Sequence, residues 1–134
     1  MALLIGFSLA LAVALYASLI GLDRERAFYS TVLAVVGSLY GLFAAMSGST
    51  QTLLLESIFI PAFLLVSALG FKFSQWLLVA GLFAHGVFDF FHSHVISNSG
   101  VPAFLPDFCM GYDIMAAAYL AWLIRRRSAL KETT

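Results

Sequence analysis

The sequence predicts an all-α, multi-pass integral membrane protein, a compact bundle of about five transmembrane helices. Of its 134 residues, 62% are hydrophobic and only 10% are charged, whereas about a quarter of the residues in a soluble domain are charged. Five apolar stretches each approach the ~20 residues that a helix needs to cross a bilayer, which leaves room for one membrane domain (1–134) and short loops. The stretches are roughly Ala2–Gly21, Tyr29–Met46, Gln51–Leu69, Ser74–His94 and Asp107–Ile124.

The basic residues indicate how these spans are oriented. When the chain is threaded through five spans, all seven Lys and Arg residues fall on one side. Cytoplasmic loops carry the excess of Lys and Arg, so we expect an external N-terminus and a cytoplasmic C-terminus in the plasma (inner) membrane. The basic residues are Arg24, Arg26, Lys72, Arg125, Arg126, Arg127 and Lys131.

The only basic run, Arg125–Arg127, comes directly after the fifth span. A run in this position is typical of a topology anchor that attracts anionic lipid headgroups. We therefore expect the lipid bilayer as a partner and no nucleic acid. A second copy of the chain, or another subunit of a membrane complex, is the kind of protein partner that the sequence leaves open.

The first two spans are predicted to be packing elements. The first is interpreted as a retained span because it lacks a basic n-region and exceeds the ~7–15 apolar residues of a signal peptide. Small residues recur at steps of four in both spans, and such stripes let helices approach closely in lipid. The stripes are Gly6, Ala10, Ala14 and Ser18 in the first span, and Gly37, Gly41 and Ala45 in the second.

The link between the fourth and fifth spans, Val95–Pro106, contains turn residues and two prolines. It is too short and too interrupted to span the membrane, and we expect it to fold over the outer ends of the helices. Asp107 is predicted to be the N-cap of the last helix. Cys109, the single cysteine, cannot form an internal disulfide and is predicted to be a small apolar filler.

The fourth span carries an unusual group of ionisable residues. His85, Asp89 and His92 are spaced i, i+4, i+7, so their directions fall within about 60° and they share one face of the helix. Two imidazoles and a carboxylate are ligands of zinc and of transition metals. His94 differs in direction from His92 by about 160° and is expected to point away.

Two further acids are predicted to join this group. Counting along the helices places Glu56, Asp89 and Asp113 at a similar depth, roughly 8 Å from the outer boundary. Buried carboxylates without a basic partner must be neutralised by a cation, protonated or hydrated, because isolated buried charge is prohibitive. The predicted metal ligands are therefore His85, Asp89, His92, Asp113 and Glu56. Glu56 and Asp113 are also the candidates for a catalytic acid or base.

Three classes of function follow from this group. The leading hypothesis is a small membrane protein that binds a divalent transition metal (zinc, iron or copper), as a metalloenzyme or as a metal-binding accessory subunit. The second is a transporter or proton-relay protein that uses the same acids and histidines. The third is a structural or assembly subunit in which the polar cluster only locks the helices together.

The sequence contains no H-E-x-x-H, no C-x-x-C and no run of paired histidines like that of membrane desaturases. The types of side chain in the predicted site are similar to those of zinc sites in intramembrane hydrolases such as the alkaline ceramidases. The resemblance covers ligand types only, since those enzymes have more spans and a different ligand order, and it assigns no family.

Overall fold

The computed structural model describes all 134 residues, which form five long α-helices and no strand. Each helix is long and apolar enough to cross a membrane, and the all-helical prediction is confirmed. The helices are α1 (Ala2–Ile20), α2 (Arg26–Ser47), α3 (Thr50–Lys72), α4 (Gln75–Val95) and α5 (Leu105–Glu132), with a short 3₁₀ turn at Leu22–Arg24.

The last helix differs most from its predicted bounds. The assignment of Asp107 as its N-cap is wrong, because α5 begins at Leu105 and its N-cap is Phe104. Pro106 is tolerated in the first turn, where a missing N–H costs no helical hydrogen bond. Asp107 then lies inside that turn, where the positive end of the helix dipole stabilises its negative charge. At the other end α5 continues through Arg125–Arg127, since arginine is a good helix former.

The five helices give the bundle two chemically different ends. The basic end comprises the turn Gly21–Glu25, the turn Phe73–Ser74 and the C-terminus of α5. The acidic end comprises the turn Gly48–Ser49 and the loop 96–104. Most of the ionisable residues that the sequence analysis selected lie in the half of the bundle nearer the acidic end.

Small residues bring α1 and α5 into close contact. Gly6 faces the backbone carbonyl of Phe108, and Gly111 faces the backbone carbonyl of Leu3, with no space for a Cβ atom at either glycine. The buried face of α1 is made of Gly6, Ala10, Ala14 and Ala17. This helix therefore serves the packing role that its small-residue stripe predicts.

The other helices pack in the order α5, α4, α3, α2, and α2 also touches α4. A core of nine buried residues, apolar except for the Tyr29 hydroxyl, fills the space between α2, α4 and α5 toward the basic end. Its fully buried leucines are Leu33, Leu78, Leu82 and Leu120. Because these positions lie on the basic side of His85 and Asp113 along their helices, the core separates the ionisable residues from the basic end.

The loop 96–104 covers the acidic end, as predicted. Ile96 is buried, and the carbonyl of Ser97 accepts a hydrogen bond of 3.2 Å from the Thr52 hydroxyl. The Asn98 amide donates to the Tyr40 carbonyl at 3.2 Å and to Glu56 Oε1 at 3.0 Å. These bonds tie the loop to α2 and α3, so it forms a fixed cover over the helix ends.

Candidate metal site

Three of the five predicted site residues meet in the interior. His85 and Asp89 lie one turn apart on α4, Asp113 reaches them from α5, and each is at most 1% exposed. His85 Nδ1 lies 2.6 Å from Asp113 Oδ2 and 3.4 Å from Asp89 Oδ2. Each residue can offer one donor atom, and the three atoms lie within 4.8 Å of one another. We call these residues the triad.

Glycine lets α5 bring its carboxylate to α4. Gly86, next to His85, faces the Ile114 side chain, and a Cβ atom there would lie only 3.0 Å from Ile114 Cδ1 and 3.5 Å from Asp113 Cβ. A larger residue would require the end of the Ile114 side chain to shift by a few tenths of an ångström. Glycine therefore lets Ile114 and Asp113 of α5 pack directly on α4, with Asp113 within hydrogen-bond reach of the imidazole.

The triad leaves its polar atoms unsatisfied. His85 Nε2, Asp89 Oδ2 and Asp113 Oδ1 are buried and have no hydrogen-bond partner, and the Tyr29 hydroxyl is the one other such side-chain atom in the chain. Each unpaired buried polar group costs about 1–3 kcal/mol, and a buried charge costs more. The only ion pair with a Lys or Arg joins Arg127 to Asp23 at the basic end. With both carboxylates ionised, the triad carries excess negative charge that a cation could neutralise.

The donor set suits a divalent metal ion. One imidazole nitrogen and two carboxylate oxygens are ordinary ligands of zinc and of ferrous iron. With metal–ligand bonds of about 2.0–2.2 Å, donor atoms on one zinc ion lie roughly 3–4 Å apart. The separations in the triad run from 2.6 Å, between His85 Nδ1 and Asp113 Oδ2, to at most 4.8 Å, so metal binding would replace that hydrogen bond and draw the widest pair together by up to about 1 Å.

Glu56 and His92 form a separate pair beside the triad. His92 Nε2 lies 2.7 Å from Glu56 Oε1, and both side chains are buried. Glu56 also accepts the hydrogen bond from Asn98. The five predicted residues therefore divide into a triad and a pair, and the assignment of Glu56 and His92 as metal ligands stays a prediction.

Tyr40 of α2 connects the two groups. Its hydroxyl donates a 2.7 Å hydrogen bond to Asp89 Oδ1, and its ring stacks on the His92 imidazole with centroids 3.6 Å apart. The view of α2 as packing alone is therefore wrong. Tyr40 and Asn98 are the residues that sequence analysis missed, because neither shares a helix or a spacing pattern with the residues that it contacts.

A cavity of about 500 Å³ leads from the surface of the acidic end to the site. Asp89 and His92 belong to its buried side, while His94 and Asp107 line it from more exposed positions. His94 is exposed on α4, as its predicted direction requires. The cavity reaches the triad only at Asp89, since neither His85 nor Asp113 lines it.

A larger cavity, of about 590 Å³, lies elsewhere. It is an apolar cleft between α1 and α2, with Phe108, Cys109 and Tyr112 of α5 at its base. It contains no member of the triad. Cys109 is buried there, consistent with its predicted role as an apolar filler.

Comparison with known protein families, with curated proteins and with solved structures finds no match to this chain. The triad, the pair and the cavity are therefore the features from which a function is inferred.

The hydrogen bond from Tyr40 predicts an asymmetry between two buried tyrosines. Tyr40→Phe removes the hydroxyl that orients Asp89, so we expect metal affinity to fall about 10-fold, the size of effect typical of groups that orient a ligand. Tyr29→Phe should leave metal affinity unchanged and stability equal or higher, because the Tyr29 hydroxyl has no partner. Titration calorimetry and thermal unfolding of both variants test this, and equal affinities would exclude an orienting role for Tyr40.

Proposed function

We propose that this chain is a multi-pass membrane protein that binds one divalent transition metal at His85, Asp89 and Asp113 and uses it as a metalloenzyme. The observation that carries the proposal is that three buried residues bring one donor atom each within 4.8 Å of one another, while each also has a buried side-chain atom without a hydrogen-bond partner. A cation between them would offset the repulsion between the two carboxylates.

The surroundings support a catalytic role. A divalent metal held by His85, Asp89 and Asp113 would acidify a bound water and so supply a nucleophile at neutral pH. The cavity at the acidic end is lined by Asp89 and His92, and it is the side from which that water would enter. The Glu56–His92 pair lies beside the triad and can hold or release a proton during hydrolysis. Tyr40 keeps Asp89 oriented.

The two alternative functions have less support. A proton or ion path would need polar groups on both sides of the triad. Toward the basic end, however, the core consists of apolar side chains such as Leu33, Leu78 and Leu82, with the Tyr29 hydroxyl as its only polar side-chain atom. A polar cluster that only locked helices together would satisfy its own hydrogen bonds. The triad instead leaves three buried atoms unpaired.

Metal analysis and cobalt substitution test the proposal together. Detergent-purified protein should retain close to one equivalent of zinc or iron. In the cobalt(II) form, the visible absorption should change when azide is added, because azide enters an open coordination position from the cavity. Protein that takes up no metal would refute the site, and a cobalt spectrum indifferent to azide would refute the catalytic role.

The excess negative charge predicts how metal removal changes stability. Chelation should lower the melting temperature of the unmodified protein, because the two carboxylates of the triad then repel at short range. Asp113→Asn should melt higher than the unmodified protein in chelator, while binding metal more weakly. Thermal unfolding of both forms, with and without chelator, is the measurement. If chelator changes nothing and Asp113→Asn is simply destabilising, protein hydrogen bonds satisfy the acids and the structural function is favoured.

The one-sided distribution of Lys and Arg predicts the membrane topology. We propose that the basic end is cytoplasmic and the acidic end external. A reporter fused after Thr134 should be active in the cytoplasm, and one inserted in the loop at Asn98–Gly100 should report an external position. A cytoplasmic signal from that loop would contradict the five-span arrangement.

A further inference from the structure

A second polar site lies at the basic end, far along the helices from the triad. It is a hollow of about 260 Å³ between the turn that follows α1 and the basic stretch of α5. Three arginines line it, Arg24 from the turn and Arg126 and Arg127 from α5, together with Asp23. These groups leave the hollow with a net charge of +2.

The single acid in the hollow is already engaged. Asp23 is 2% exposed. Its Oδ1 and its carbonyl accept hydrogen bonds from Arg127 at 3.2 and 3.1 Å. Its Oδ2 accepts one from the Ser18 hydroxyl. Asp23 therefore fixes Arg127, and both of its carboxylate oxygens are already engaged.

The other two arginines have no partner within the chain. Neither Arg24 nor Arg126 forms a hydrogen bond through its side chain or an ion pair. Arg126 lies over the Trp122 ring, 5.2 Å from its centroid. That contact holds the guanidinium beside the hollow while leaving its donors free.

The chemistry of the hollow matches a phosphate group. Guanidinium groups bind phosphate through paired, charge-assisted hydrogen bonds. Trp122 is about half exposed, and tryptophans gather where the hydrocarbon of a bilayer meets the headgroups. The hollow also has an apolar wall, formed by Leu123 and Leu130. A ligand with a phosphodiester and an attached chain fits these surfaces better than free phosphate does.

We propose that this hollow binds the headgroup of one anionic phospholipid in the leaflet at the basic end. Its phosphodiester lies between Arg24 and Arg126, while Arg127, held by Asp23, adds positive charge from the third side. Basic pockets between membrane helices are known to select anionic headgroups. The proposal requires that the helices span a membrane and is independent of the metal site.

Native mass spectrometry of the full chain in detergent tests the proposal. Phosphatidylglycerol should be retained at one molecule per chain, and phosphatidylcholine with the same acyl chains should not. In the double variant Arg24→Gln/Arg126→Gln, affinity for phosphatidylglycerol should fall about 10-fold or more, the effect of losing at least one charge-assisted contact. Inorganic phosphate should displace the lipid only weakly.

A control with the same loss of charge separates a site from general attraction. Arg125 and Lys131 belong to the same basic stretch, are exposed and do not line the hollow. Arg125→Gln/Lys131→Gln should therefore change the affinity for phosphatidylglycerol less than about 2-fold. Equal losses in both double variants, or equal retention of the two lipids, would overturn the proposal. Phosphate binding that depends on Arg24 and Arg126 without lipid retention would overturn the assignment of the ligand as a lipid.

Discussion

His85→Ala and Asp89→Ala should each abolish metal binding, with an affinity loss of more than about 100-fold. Each change removes one of only three donor atoms that can converge on an ion. Loss of a residue that coordinates the metal directly lowers metal affinity by more than the 10–100-fold that is typical when an orienting group is lost. Metal content after dialysis and competition with a chromophoric chelator measure the loss.

His94→Ala is the matched control, because His94 lies on the same helix and lines the same cavity but is exposed and does not belong to the triad. Its metal affinity should stay within about 2-fold of the unmodified protein. His92→Ala should have an intermediate effect, since His92 lines the cavity and binds Glu56 rather than the triad. If His94→Ala matched His85→Ala, the metal would lie near the surface of the cavity and the proposed ligand set would be wrong.

Gly111→Leu should destabilise the protein by more than about 3 kcal/mol, at or beyond the upper end of the cost of overpacking. Gly111 faces the Leu3 backbone, which cannot move away as the end of a flexible side chain can. A leucine there forces α1 away from α5. Lipid or detergent would then have to replace close van der Waals contact between the two helices. Chemical unfolding in detergent, followed by circular dichroism, measures the change.

The control for this substitution is Ala118→Leu on the same helix. Ala118 is exposed, so its longer side chain extends into lipid or detergent and should change stability by no more than about 0.5 kcal/mol. A similar small effect for Gly111→Leu would mean that α1 is held mainly by its turn and not by its contact with α5. Metal affinity is a second measurement. It should change little in Gly111→Leu, because displacing α1 leaves the contact between α4 and α5 in place.

The predicted site illustrates where reasoning from a sequence ends. The shared face of His85 and Asp89 could be predicted, because spacing along one helix determines direction. The sequence could not predict that Asp113 joins them while Glu56 and His92 form a separate pair. An equal depth on two helices leaves the relative rotation of those helices undetermined. In the structure, the packing of Ile114 and Asp113 of α5 beside Gly86 of α4 fixes that rotation.

Tyr40 and Asn98 could not be predicted as neighbours of the site for the same reason. Tyr40 contacts Asp89 and His92 from a helix whose visible pattern, a stripe of small residues, predicts packing only. Asn98 reaches Glu56 from a loop whose sequence indicates turns. Both contacts join residues more than 40 positions apart, and no local propensity records such a contact.

Three features could be predicted from the sequence: the five helices, the basic and acidic ends, and the helical face that carries His85 and Asp89. Those features follow from hydropathy, from charge and from a fixed rotation per residue, all of which act locally along the chain. Two other features are visible only in the tertiary structure. Two carboxylates and one imidazole leave buried atoms unpaired, and Arg24 and Arg126 line one hollow. Such groupings depend on how helices pack against one another, and that packing is set by steric contacts between distant residues.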